Sequence, residues 1–265
     1  MSFKACLIKD IKEQLRSKKF YVYLAMSVGI ALFAVLIIAI MAPLSNFNMG
    51  DESLNEMIKA LFEPTYFNSL NYFMSFMLSY FLLVVIIMIR NSFSKEMKNN
   101  TYVLPIFSGI KTETIILSKI IVNTLSIVIC YCIAAIVHFL LTIAFFTPDI
   151  VSIYNLLFSY FCFLLALIFF VVLTLCVDAL TQNGAISCAI NIIILILGTS
   201  ILESVFIGKT ALIQYTPLAF YSLAITTSFA DINILAIIIA SITYLLLIGG
   251  LLFLTIKKSR VKAEK

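Results

Sequence analysis

Six stretches of this chain contain no Asp, Glu, Lys or Arg: 20–42, 68–89, 120–146, 150–177, 185–202 and 232–256. Most reach the roughly 20 residues a helix needs to cross the hydrocarbon core of a bilayer. The fifth is the shortest, and extending it to 185–207 gives it a full span. A transmembrane barrel would instead show short alternating segments of about ten residues. The composition agrees: 63% of residues are hydrophobic, 12% are charged and the mean hydropathy is +1.13. A soluble domain runs near half apolar and a quarter charged, and a disordered chain is poorer still in apolar residues. The fold class expected is therefore an all-α polytopic membrane protein, a single transmembrane domain over 1–265.

Charge gives the orientation. Residues 1–19 hold six Lys or Arg, the connection 90–119 holds five and the segment after 256 holds five. The alternate connections hold Lys59, none and Lys209. Basic residues collect on the cytoplasmic side, so both termini and the 90–119 loop are expected inside, in the plasma membrane. That requires an even number of spans, and six fits. The net charge of +5 belongs to these flanks and does not point to nucleic acid.

Between the spans the sequence predicts three further elements. Phe3, Leu7, Ile8, Ile11 and Leu15 recur at helical spacing among Lys4, Lys9, Lys12, Glu13 and Arg16, which predicts an amphipathic helix over 1–19 in the membrane interface. In the first outer loop, Ser53-Leu54-Asn55-Glu56 is a capping box ahead of Met57, Ile58, Leu61 and Phe62. The last outer loop, 203–231, is too apolar for a solvated linker, and Thr216-Pro217 predicts a segment that dips into the membrane and returns.

Residues with chemistry are few. His138 is the sole histidine, with no carboxylate near it in sequence, so a metal site or a Ser/His pair is unsupported. Its place toward the outer end of its span reads as an amphipathic ring reaching the interface. Asp178 and Glu203 read as boundary residues, and no carboxylate lies in the middle of a span. The six cysteines form no C-x-x-C pair and read as small apolar fillers. Asn123, Asn155, Asn191 and Thr174 are expected to hydrogen-bond between helices, with contact to a substrate as the alternative. Gly184, Ala185, Cys188 and Ala189 give small-xxx-small spacing, which suits close helix packing in the bundle or across a dimer. Gly208-Lys209-Thr210 imitates the end of a phosphate-binding loop, but Glu203 stands where the motif needs glycine. The chain is accordingly expected to be no enzyme and to hold no cofactor of its own.

The 90–119 loop mixes charge with Met97, Tyr102, Val103, Leu104, Ile106 and Phe107, more apolar content than a solvated loop needs. It lies on the membrane or docks into a cytoplasmic partner. At this loop the chain resembles the membrane subunits of type-2 ATP-binding-cassette exporters. The family's Glu-x-x-x-Gly-Thr motif is met by Glu96-Met97-Lys98-Asn99-Asn100-Thr101, with Asn100 in place of glycine. Gly109 stands where the family has proline, Lys111 falls one place before the usual base, and Leu117-Ser118-Lys119 closes the match. Arg16-Ser17-Lys18-Lys19-Phe20 is similar to the family's exit from its interfacial helix.

The resemblance implies six spans, an N-terminal interfacial helix, a cytoplasmic coupling helix at about 92–99 and a re-entrant outer segment. It implies that Glu96, flanked by Lys95 and Lys98, anchors the loop in a separate ATPase. Two copies of that subunit would bind ATP and Mg beneath two permease chains, identical or related. Among such exporters a small permease without added domains resembles those conferring immunity to antimicrobial peptides, lantibiotics included. Drugs and lipid-linked molecules stay open as substrates. The alternative is an integral protein not driven by ATP, a channel or an assembly scaffold.

Overall fold

A computed structural model describes residues 3–41, 43, 63–90, 92–93, 110–206 and 234–263, without the side chains of 151, 197–206, 234–237 and 258–263. These residues form seven helices: α1 (Phe3–Arg16), α2 (Lys19–Met41), α3 (Tyr66–Ile89), α4 (Thr112–Phe146), α5 (Ile150–Thr181), α6 (Gly184–Phe206) and α7 (Ile234–Ala263). Among the described residues five stretches are long and apolar enough to cross a membrane: Lys19–Met41, Tyr66–Ile89, Thr112–Phe146, Ser152–Thr181 and Ile238–Lys257. The described residues are thus all-α, with the architecture of a polytopic membrane protein. In α6 the described side chains give only a shorter apolar stretch, Gly184–Ile196. The capping-box helix, residues Lys95, Glu96 and Lys98, the Gly208–Thr210 tripeptide and the segment 207–231 lie outside the described residues.

Local sequence sets the helix ends. The Thr65 hydroxyl accepts the N–H of Asn68 and starts α3, and the Asn183 side chain accepts the N–H of Ala185 at the start of α6. Among the described residues three non-glycine positions adopt positive φ, each just past a helix: Lys18 at 59°, Thr147 at 39° and Gln182 at 55°. Lys18 ends α1 and turns the chain into α2 within two residues, Ser17 and Lys18. Gln182 closes the α5–α6 hairpin, whose link is Gln182 and Asn183 alone.

α2 lies along α4, and α4 and α3 both pack on α5. In the middle of the bundle Tyr131 stacks between Phe73 and Phe163, with ring centroids 6.3 and 5.6 Å away. The Tyr131 hydroxyl donates to the carbonyl of Tyr160 at 3.0 Å. Ser27 sits where α2 and α4 approach, and its hydroxyl donates to the carbonyl of Cys130 at 3.1 Å. Lipid cannot hydrogen-bond these groups, so helix contacts must. The opposite faces present Leu32, Phe33, Leu36 and Ile40 from α2 and Leu125, Ile129, Ile136 and Leu140 from α4, as bilayer-facing surfaces should.

One span is not a plain α-helix. Met77–Phe81 of α3 form a π-helical turn. The buried residues of α3 fall at Ser69/Leu70, Phe73/Met74, Met77/Leu78, Phe81/Leu82, Val85/Ile86 and Ile89, a strict four-residue repeat. In an α-helix each such step advances the buried stripe by about 40°, or roughly 200° from Ser69 to Ile89. The wider turn takes up an extra residue and keeps both ends of α3 facing the bundle.

Candidate functional site at the base of the bundle

The 90–119 connection leaves α3 and returns into α4, and its described ends are both fastened by polar side chains. On the departing side, the N–H of Phe93 donates to Asp178 Oδ2 at 3.0 Å. Asp178 lies in the last turns of α5 and is wholly buried. Beside it, the ammonium of Lys119 donates to the carbonyl of Ser92 at 3.1 Å and stands 5.9 Å from the centre of the Phe93 ring. Lys119 is only 3% exposed, low enough that its charge has to be met by protein groups. Both Lys119 and Lys19 act on the Asp178 carboxylate electrostatically.

On the returning side, the hydroxyl of Ser118 donates to the Asp10 carboxylate of α1. Asn123, one turn further, donates its amide to the carbonyl of Lys119 at 2.8 Å. Ile110 and Ile115 pack against Cys6 of α1 in a small apolar cluster of their own. α1 therefore turns Cys6, Asp10 and Gln14 inward, while Phe3, Ile8, Ile11 and Leu15 are exposed. A narrow polar cleft runs between these parts, lined by Asp10, Gln14, Lys19, Ser92, Lys119 and Asn123 among others. α1, α2, α4, the described ends of the connection and the base of α5 meet here.

A second polar cluster lies toward the far end of the bundle. His138 Nδ1 and the Tyr160 hydroxyl are 2.6 Å apart, and Nε2 lies 3.1 Å from the Ser69 hydroxyl and 3.3 Å from the Ser69 carbonyl. A carbonyl only accepts, which makes Nε2 the protonated nitrogen and Nδ1 the acceptor from Tyr160. Thr142 lies 3.4 Å from Nδ1, and Phe73 stacks on the ring at 4.4 Å. The cluster joins α3, α4 and α5.

Several readings from sequence are corrected here. His138 is fully buried and does not reach an interface, because its ring has polar partners on two neighbouring helices. Asp178 is at a helix end, as its position suggested, but it faces inward and holds the Phe93 backbone. Among the cysteines five are buried and Cys132 is exposed, so Cys132 fills no gap inside this chain. Asn191 reaches the Thr174 carbonyl of α5 at 3.5 Å and the Ser187 hydroxyl at 3.3 Å, whereas Thr174 and Asn123 bond within their own helices. In α6, Gly184 and Cys188 turn inward, while Ala185 and Ala189 are exposed on the other face.

The sequence did carry a signal for both clusters. Ser69, His138 and Tyr160 lie near the same end of successive antiparallel spans, and Lys119 and Asp178 near the opposite end. Polar residues at matched depth are candidate partners, since hydrocarbon offers none. Among the described residues no group of three or more His, Cys, Asp or Glu could hold a metal ion. No protein-family model and no curated protein matches the chain.

Proposed function

We propose that this chain is the membrane-spanning subunit of an exporter driven by a separate ATPase, of the type-2 ATP-binding-cassette kind. In this reading α6 supplies the sixth span, and the basic segments at 1–19, 90–119 and after 256 are cytoplasmic. The observation that carries the reading is the double fastening of the 90–119 connection. A segment that passes force from a cytoplasmic motor to the spans must be attached rigidly at both ends. Here Asp178 and Lys119 hold the departing end, and the Ser118–Asp10 bond with the Cys6, Ile110 and Ile115 packing holds the returning end. A displacement of the loop would then reach α1, α4 and α5 together.

Lys95, Glu96 and Lys98 are the proposed contact with the ATPase, two copies of which bind ATP and Mg beneath a pair of permease chains. Ala185, Ala189 and the exposed face of α6 are open for packing against the second chain. The substrate is an amphiphile taken outward: a peptide, a drug or a lipid-linked molecule, with antimicrobial-peptide immunity as the physiological setting. The chain itself performs no catalysis.

The test is co-purification of the tagged chain from its own cells. An ATPase should accompany it, and Glu96→Ala should weaken that association by roughly ten- to a hundredfold, the loss of a charge-assisted bond at a docked surface. Glu56→Ala, in the outer loop, should leave it intact. A chain that hydrolyses ATP alone, or that never recovers an ATPase, rejects the exporter and favours a channel or scaffold.

A further inference from the structure

We infer that the corner between α1, α2 and α4 is a binding site for one anionic phospholipid, with an acyl chain in the groove and the headgroup phosphate at Lys12 and Arg16. The groove has a volume of about 270 Å³ and is lined by Ile11, Gln14, Leu15, Phe20, Leu125 and Ile129, with Val122 and Ser126 at its floor. Its walls are open to the surroundings: Ile11, Leu15, Leu125 and Ile129 are each more than 40% exposed. The Ser126 hydroxyl is already bonded to the Val122 carbonyl at 2.8 Å and asks no hydrogen bond of an apolar occupant. Gln14, which also lines the groove, keeps a buried Nε2 without a partner that a lipid ester oxygen could meet. From Val122 to Ile129 the groove descends about 10 Å along α4, a large part of the roughly 15 Å hydrocarbon depth of one leaflet.

Charge complementarity decides the headgroup. α1 has three arcs: Cys6, Asp10 and Gln14 inward, Ile8, Ile11 and Leu15 outward, and Lys9, Lys12 and Arg16 next around the helix. Lys12 follows Ile11, and Arg16 follows Leu15, each about 100° further round. A second surface depression lies on that side, lined by Ala5, Ile8, Lys9, Lys12, Glu13 and Arg16. Glu13 is the one carboxylate in it, so the depression remains net cationic. An apolar groove along one side of α1 with a cationic ridge on the next arc of the same helix fits a molecule with an acyl chain and one negative end. A zwitterionic lipid fits the groove equally but gains less at the ridge, where each basic residue near an anionic surface adds several-fold in affinity. The site does not depend on an ATPase partner.

Native mass spectrometry of the full chain in detergent tests it, with phosphatidylglycerol and phosphatidylcholine of identical acyl chains as the probes. The parent should retain one phosphatidylglycerol about tenfold or more in preference to phosphatidylcholine. Lys12→Gln with Arg16→Gln should abolish that preference while leaving phosphatidylcholine retention unchanged; both residues are exposed, so folding is not at risk. Leu125→Trp, which fills the groove, should lower retention of both lipids, and Ile129→Phe does the same with less bulk. Equal retention of the two lipids by the parent, or an undiminished preference in the charge variant, overturns the headgroup site. Retention unaltered by both groove variants overturns the acyl groove.

Discussion

The carboxylate of Asp178 accepts the backbone N–H of Phe93 at 3.0 Å, across 85 residues of sequence and from a position with no exposed surface. A backbone donor held by a buried carboxylate is a strong and directional link. It ties the first residues after α3 to the base of α5 and hence to the α5–α6 hairpin.

Asp178→Ala should therefore destabilise the protein by about 1.5–3 kcal/mol, the cost of removing a charged hydrogen-bond partner from a buried donor. Lys119 would also lose a carboxylate with which it interacts electrostatically. Asp178→Asn keeps an acceptor oxygen and should cost less. Thermal unfolding in detergent ranks the three proteins, and hydrogen exchange reads the Phe93 amide directly. An Ala variant as stable as the parent, with Phe93 still protected, would sink the link.

The Ser118–Asp10 bond should govern how firmly α1 is docked. Cys6 lies under the same helix, 8% exposed and packed on Ile110 and Ile115, and serves as the probe. In a variant retaining Cys6 alone, Asp10→Ala should raise its maleimide reactivity on the order of tenfold, since reaction requires local opening. Unaltered reactivity would mean that the apolar packing alone holds α1.

His138 and Tyr160 should behave as one unit. His138→Phe preserves a ring against Phe73 but strands the Tyr160 hydroxyl, and Tyr160→Phe leaves Nδ1 only the longer Thr142 contact at 3.4 Å. A double-mutant cycle of unfolding free energies should give a coupling of about 0.6 kcal/mol, the average for polar pairs inside membrane bundles, and at most about 1.7 kcal/mol. Additive effects would show that the 2.6 Å contact carries no energy of its own.

Much of the architecture was legible in the sequence because the bilayer imposes it. Uncharged runs mark the spans, and the helical spacing of Phe3, Ile8, Ile11 and Leu15 marks α1. The inward face of α1 was less legible, because Asp10 and Gln14 look like solvated residues until Ser118 is placed beside Asp10. His138 and Asp178 were misread for a related reason. A polar residue near a span end has two outlets, the interface or a partner on another helix, and one sequence does not say which neighbour stands opposite. The π-turn was invisible altogether. Leu70, Phe73, Met74, Met77, Leu78, Phe81 and Leu82 are flanked by further apolar residues, so a four-residue repeat of burial leaves no pattern in hydropathy.

That π-turn yields the last prediction. Ser69 lies on the side of it toward His138, and Ser92 and Phe93 follow α3 beyond its other end, so the turn sets the phase between the two polar clusters. Deleting Ser79, an exposed residue inside Met77–Phe81, should convert the turn to ordinary α-helix. Because the turn absorbs one residue, losing the turn together with that residue leaves the two sides close to their present phase. The deletion variant should therefore keep the Phe93 amide protected from exchange and still lose stability on Tyr160→Phe. Inserting an alanine after Ser79 instead adds about 100° and about 1.5 Å between the two sides. One cluster can then keep its partners, but both cannot: either Phe93 loses its protection, or Tyr160→Phe no longer costs stability because its bond to His138 is already broken. An insertion variant that keeps both, or a deletion variant that loses either, would show that the π-turn is not what aligns the two clusters.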